Sequence, residues 1–136
     1  MSIADELKNN DLFGSGAPGP GERVPSMALT VDHLIETLGL TVHHLDDGTR
    51  EVTGGYTGDL LSWVMGRAVS GDAWVTIMSN INVIAVAQLT DVACVILAEG
   101  VVPGEDLIAA AEMRGINLLS SPEPSFALSG RIFKEL

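Results

Sequence analysis

Only one of the 136 residues is a cysteine, Cys94. One thiol cannot close an internal disulfide, and one sulfur does not hold a zinc ion or an iron–sulfur cluster. No disulfide, metal centre or cofactor is therefore expected, and Cys94, inside the apolar run 93–98, reads as a small core side chain. Basic residues are also scarce: seven Lys and Arg stand against eighteen Asp and Glu, for a net charge of −11. Lys8, Arg23, Arg50, Arg67, Arg114, Arg131 and Lys134 are dispersed and form no basic stripe. Such a chain repels a phosphate backbone, so no nucleic acid is expected as a partner. A single small anion needs only one or two arginines and stays open. Apolar runs are short. None reaches the roughly 18 residues that span a bilayer, and residues 1–10 are polar with no signal-type apolar core. The expectation is a cytoplasmic protein with no membrane partner.

What is present is aliphatic. Apolar residues make up 46% of the chain and aromatics only 4%, enough for one core of one domain without covalent staples. Residues 1–26 stand apart. Gly14, Gly16, Pro18, Gly19, Pro20 and Gly21 crowd a stretch too poor in large apolar groups to offset its own ordering entropy. They read as an N-terminal tail, either unattached or a strap that orders on a partner. Residues 27–136 read as an α/β domain. Thr30 is a candidate N-cap for a helix carrying Leu34 and Leu38, stopped at Gly39. Residues 40–45 suit a strand and Asp46-Asp47-Gly48 a turn. Residues 60–67 suit a short helix capped by Asp59, 73–78 a strand, and Asn80 to Thr90 a helix with Asn80 as its cap. Residues 93–97 form an unbroken apolar strand, as when both faces are buried. Residues 103–114 suit a helix that Pro103 opens and Gly115 closes, 116–119 a strand, and Pro124 opens a last helix. Strands alternating with helices on short links imply parallel strands joined by right-handed crossovers. The expected fold is a small, mostly parallel sheet with helices on both faces.

The most unusual stretch is Arg50-Glu51-Val52-Thr53-Gly54-Gly55-Tyr56-Thr57-Gly58-Asp59. Three glycines in five residues suggest positive φ or close backbone approach. A Gly-rich turn before a helix can aim several N–H groups at a phosphate or carboxylate, with Arg50 or Arg67 as counter-charge. No Gly-Lys-Ser/Thr follows, so this is not a P-loop, and the spacing is not that of a dinucleotide fingerprint. The equally weighted alternative is a structural turn in which Asp59 merely caps a helix. His43 and His44 point to opposite faces of a strand and read as a hydrated corner, not a metal pair. His33 reads as solvated. Ser62 and Ser79 carry no cue for an activating base, and Glu105-Asp106 suits a helix start. No catalytic residue is assigned. Leu60, Leu61, Trp63, Val64 and Met65 make one helix apolar nearly all round, which in so small a domain points to an interface with another subunit.

The run Arg50 with Thr53-Gly54-Gly55, followed by Gly58-Asp59-Leu60-Leu61-Ser62, resembles the DRTGG domain. So do Asn82-Val83-Ile84-Ala85-Val86-Ala87 before Asp91-Val92-Ala93-Cys94-Val95-Ile96, and Gly115-Ile116 near Leu118-Leu119-Ser120-Ser121. The resemblance covers roughly residues 27–125. Thr49 stands where the family's name has Asp, and Glu51 and Val52 separate Arg50 from Thr53. The resemblance implies a small α/β fold similar to the N-terminal domain of HPr kinase and a non-catalytic role. Such domains accompany CBS domains in nucleotide-regulated pyrophosphatases and occur in some phosphotransacetylases, where they serve regulation or dimer contact. Stand-alone versions resembling this chain tend to be encoded beside iron-only hydrogenase subunits and sensor-kinase-like proteins in anaerobes. The expected function is thus that of a regulatory or accessory interaction module, a homodimer or a subunit of a larger complex, hydrogenase-type redox assemblies included. The alternative is a sensor that binds an adenine nucleotide or another small anion at Thr53, Gly54 and Gly55 with Arg50 and Arg67.

Overall fold

A computed structural model describes residues 28–136; the predicted N-terminal tail lies outside them. Ten elements follow one another: α1 Val31–Leu38, β1 Thr41–His44, β2 Gly54–Thr57, α2 Leu61–Arg67, β3 Asp72–Thr76, α3 Asn82–Thr90, β4 Cys94–Leu97, α4 Glu105–Arg114, β5 Leu118–Ser120 and α5 Ser125–Glu135. The strands form one sheet in the order β1-β5-β4-β3-β2. Strands β2 to β5 are parallel, and β1 runs antiparallel to β5. This is the expected α/β fold, with a mostly parallel sheet.

Alternation along the buried strands separates two cores. Cys94 and Ile96 of β4 face one side, where α1 supplies Val31 and Leu34 and α5 supplies Leu128 and Ile132. Val95 and Leu97 face the other side, where α2 gives Val64, α3 gives Val83, Ile84 and Ala87, and α4 gives Leu107 and Ala111. All four β4 residues are buried, which is why the run is apolar throughout. Cys94 is among them, fully buried, and burial pushes its thiol pKa up to about 12. It packs as a hydrophobe and is no nucleophile at neutral pH.

Local signals set the helix ends. The Thr30 hydroxyl accepts from the His33 N–H at 3.2 Å and caps α1, and Gly39 closes it with φ 66°. Gly115 closes α4 at φ 66°. Three expected starts shift. Asp59 does not cap α2: the helix begins after Leu60, and no side chain caps it. The Asp59 carboxylate instead accepts from the Thr76 hydroxyl and the Ile77 N–H, both at 2.9 Å, tying the β2–α2 link to the end of β3. Asn80 accepts from the Asn82 N–H one residue before the cap, and Ile81 occupies the cap position of α3. Helix α4 starts at Glu105, two residues beyond Pro103.

The largest departure from the sequence reading is at Gly54 and Gly55. They do not make a turn. They open β2, pair in register with Asp72 and Ala73, and neither has a positive φ.

Candidate functional site

Two surfaces carry chemistry. The first is a polar cavity of about 200 Å³ beneath the N-terminal ends of the parallel strands. The β1–β2 connection brings Asp46, Asp47 and Arg50 to it, the end of α3 brings Gln88 and Asp91, and the end of α4 brings Arg114, with Asn117 at its base. In open parallel sheets ligands usually gather at the opposite, carboxyl end of the strands. Helices α3 and α4 point their C-termini toward this cavity, and helix C-termini carry partial negative charge.

Most of its charged groups already have partners. Arg50 donates to the Asp91 carboxylate at 3.2 Å and to the Asp91 carbonyl at 2.8 Å. The Ser70 hydroxyl donates to the other Asp91 carboxylate oxygen at 2.6 Å. The Ser70 hydrogen bond first, and Arg50 after it, hold the Asp91 carboxyl below its ordinary pKa. Asp91 also closes α3 in the left-handed region, at φ 58°. Asp47 is lowered by hydrogen bonds from Thr49. Arg114 donates to Gln88 at 2.7 Å. Asn117, buried, uses its whole amide: Oδ1 accepts from the Asp46 and Asp47 N–H groups at 2.7 and 3.0 Å, and Nδ2 donates to the Asp47 and Ala93 carbonyls at 2.9 and 3.0 Å. It anchors the β1–β2 connection to the start of β4. The sequence holds one signal for it, a polar residue inside the otherwise apolar run 116–119.

Of the candidate anion residues, Arg50 and Thr53 come to one corner, Arg50 donating to Ser70 Oγ at 3.4 Å and Thr53 lying against the adjacent Gly71. Gly54 needs to be glycine for a packing reason: a Cβ there would lie 2.7 Å from Asp72 Oδ1. Thr53 lies against Gly71, which has φ 88° and no room for a Cβ under the Thr53 hydroxyl. Its N–H donates to the Gly71 carbonyl at 3.0 Å. The Thr53-Gly54 pair and Gly71-Asp72 thus interlock where β2 and β3 begin. Arg67 sits in the last turn of α2 with its guanidinium 4.0 Å from the centroid of the Trp63 ring, and shares no partner with Arg50.

The second surface is α2 itself. Val64 is fully buried and Leu61 packs beside it on the core. Leu60 is 61% exposed, Trp63 54% and Met65 49%. The expectation of an all-round apolar helix therefore divides into an inward pair and an outward trio. Val69, Ile77 and Ile81 are also exposed nearby in the chain. Residues 60–69 contain no acid, in a chain with eighteen.

The histidines do not make a metal site. His43 Nε2 meets Ser120 Oγ at 2.7 Å across the sheet, and burial lowers its pKa. His44 Nε2 is buried without a hydrogen-bond partner. His33 Nε2 lies 3.5 Å from Glu135. Among the described residues no three His, Cys, Asp or Glu side chains gather as a metal set, and no helix is long and apolar enough to cross a membrane.

No protein-family model matches the chain, and no curated protein does. A solved structure does match: the CBS and DRTGG domains of the regulatory region of Clostridium perfringens pyrophosphatase, crystallised with its activator diadenosine tetraphosphate. The TM-score is 0.64 at 17% identity, over 82% of this chain and 49% of that one. At that identity the likeness is one of fold, and the chain spans about half the length of the matched region.

Proposed function

We propose that the chain is a DRTGG-type regulatory module that acts by binding and not by catalysis, and that α2 is its docking element. The observation that carries this is the division of α2. Val64 and Leu61 satisfy the core, while Leu60, Trp63 and Met65 remain on the outside, about half exposed or more. Leu60 and Trp63, three residues apart, are neighbours on this surface; adjoining exposed apolar side chains mark interaction sites on water-borne proteins, and Trp stacked by Arg is typical of the residues that dominate binding energy. The partner is a second copy of the chain. The stretch 60–69 carries no acid and one arginine, Arg67, which lessens the repulsion between two molecules of charge −11 at this helix. Likeness in fold to a region that regulates an enzyme supports a role of this class. Service as a subunit of a larger assembly, a redox complex included, uses the same surface. The Leu60→Asp, Trp63→Asp double variant tests it: self-association is lost while the circular dichroism spectrum is kept. Retained self-association removes the proposal.

A second reading has one observation in its favour: the similar region was crystallised with an adenine-containing activator. In it, Arg50, Thr53, Gly54, Gly55 and Arg67 bind an adenine nucleotide or another small anion. Arg50 then has to leave Asp91 for the ligand. A thermal-shift panel of adenine nucleotides tests it. Saturation at a hundred times the dissociation constant adds about 2.7 kcal/mol of stability, and Arg50→Ala abolishes the gain. No shift with any nucleotide removes this reading.

A further inference from the structure

We propose that the polar cavity beneath the N-terminal ends of the strands binds a small zwitterion, an α-amino acid with a short side chain, its ammonium on Asp46 and its carboxylate on Arg114. The pairing of charges carries the argument. Three acids and two arginines line the cavity: Asp46, Asp47, Asp91, Arg50 and Arg114. Arg50 and Asp91 pair with each other at 3.2 Å. Asp47 takes hydrogen bonds from the Thr49 N–H and hydroxyl at 2.9 and 2.6 Å. Arg114 pairs with no acid among the described residues; its Nη1 donates to the neutral Gln88 amide at 2.7 Å. The Asp46 carboxylate has no hydrogen bond or ion pair among them either, and only its backbone N–H is engaged. One negative and one positive group thus share one cavity, each without a charged partner.

Both groups sit at the end of α4. Arg114 is its last residue, and Gly115 closes it in the left-handed region. The Asp46 carboxylate lies over Gly115: a Cβ there would stand 3.3 Å from each of its oxygens. Asn117 holds Asp46 in place through its N–H at 2.7 Å. The C-termini of α3 and α4 add partial negative charge to this end of the sheet, which suits an ammonium group. Helix N-termini, at the opposite end, would suit an anion. The Arg114 nitrogens not engaged by Gln88 give a carboxylate the donors it accepts in pairs.

Size and sign narrow the ligand. A volume of about 200 Å³ equals that of about seven liquid waters, close to the size of alanine or serine. It lies below the roughly 300 Å³ at which drug-sized pockets begin. The lining acids outnumber the arginines, so a multiply charged anion is repelled, while Arg114 repels a simple amine. No residue of α2 lines the cavity, so the site is independent of the docking proposed for that helix.

Titration of the full chain with glycine, L-alanine and L-serine tests this, read by nuclear magnetic resonance at the Gly115 amide and the Asn117 side-chain amide. At least one of the three moves both signals and saturates below about 10 mM. Acetate and methylammonium at the same concentrations move neither. Arg114→Gln and Asp46→Asn each weaken binding at least about tenfold, since each removes a charged hydrogen-bond partner, and their spectra report that they are folded. The Leu60→Asp, Trp63→Asp variant binds as the wild type does. A wild type that responds to none of the three amino acids overturns the proposal, whatever the variants do. So does acetate or methylammonium binding as tightly as the amino acid, or full affinity retained in either folded cavity variant.

Discussion

Gly54 and Gly55 are neighbours in one strand with different reasons for being glycine. At Gly54 the Asp72 carboxylate occupies the space of a side chain; at Gly55 an added Cβ would meet only the Ala73 carbonyl, at 3.5 Å. Gly54→Val is therefore expected to cost about 1–3 kcal/mol through overpacking. Gly55→Ala should stay within about 0.5 kcal/mol of the wild type. Urea denaturation of the two variants checks the contrast, and equal losses refute the interlock. Asn117 is the other residue on which local structure turns. Asn117→Ala strands two N–H groups and two carbonyls where the β1–β2 connection meets β4, at an expected cost of about 2–3 kcal/mol. A loss near zero would mean that water replaces the amide.

At the scale of elements, the edge strand β1 carries the pH response. Burial lowers the His43 pKa below its ordinary value of 6.5, so the folded state prefers the neutral ring. The sign follows: this contribution is complete above pH about 6.5 and is lost as pH falls through the lower folded value. Stability compared at pH 7.5 and pH 5.5 should fall in the wild type and fall less in His43→Gln. An identical fall in both assigns the response elsewhere. The elements also show what the sequence could reveal. Helix α1 was legible because Thr30 and Gly39 act within a turn of it, and β4 because burial on both faces leaves its own signature in Cys94-Val95-Ile96-Leu97. Strand β2 was not legible. Gly54-Gly55-Tyr56-Thr57 has the composition of a turn, and it is a strand because β3 holds it by pairing with residues 18 positions later. Asp59 was misread for the same reason, since Thr76 and Ile77 reach it only in the folded sheet. The cavity beneath the strands went unseen because Arg50, Asp91 and Arg114 lie far apart in the chain. For α2 the apolar character was legible, but its division into a core side and an outer side depends on where the sheet lies.

For the whole molecule, two facts pull against each other. A net charge of −11 on a 14.3 kDa chain favours separation, while Leu60, Trp63 and Met65 favour association. The acid-free stretch around α2 decides the matter locally. Self-association should then strengthen with salt, because screening weakens the long-range repulsion and leaves apolar contact intact. The central claim, that α2 is a docking surface, is tested most directly by the mass in solution. Light scattering between about 1 and 200 µM, at concentrations bracketing typical regulatory affinities, should show the wild type rising to twice the chain mass. The Leu60→Asp, Trp63→Asp variant should stay at 14.3 kDa throughout. A wild type that remains at the single-chain mass over the whole range, at low and at high salt, contradicts the account.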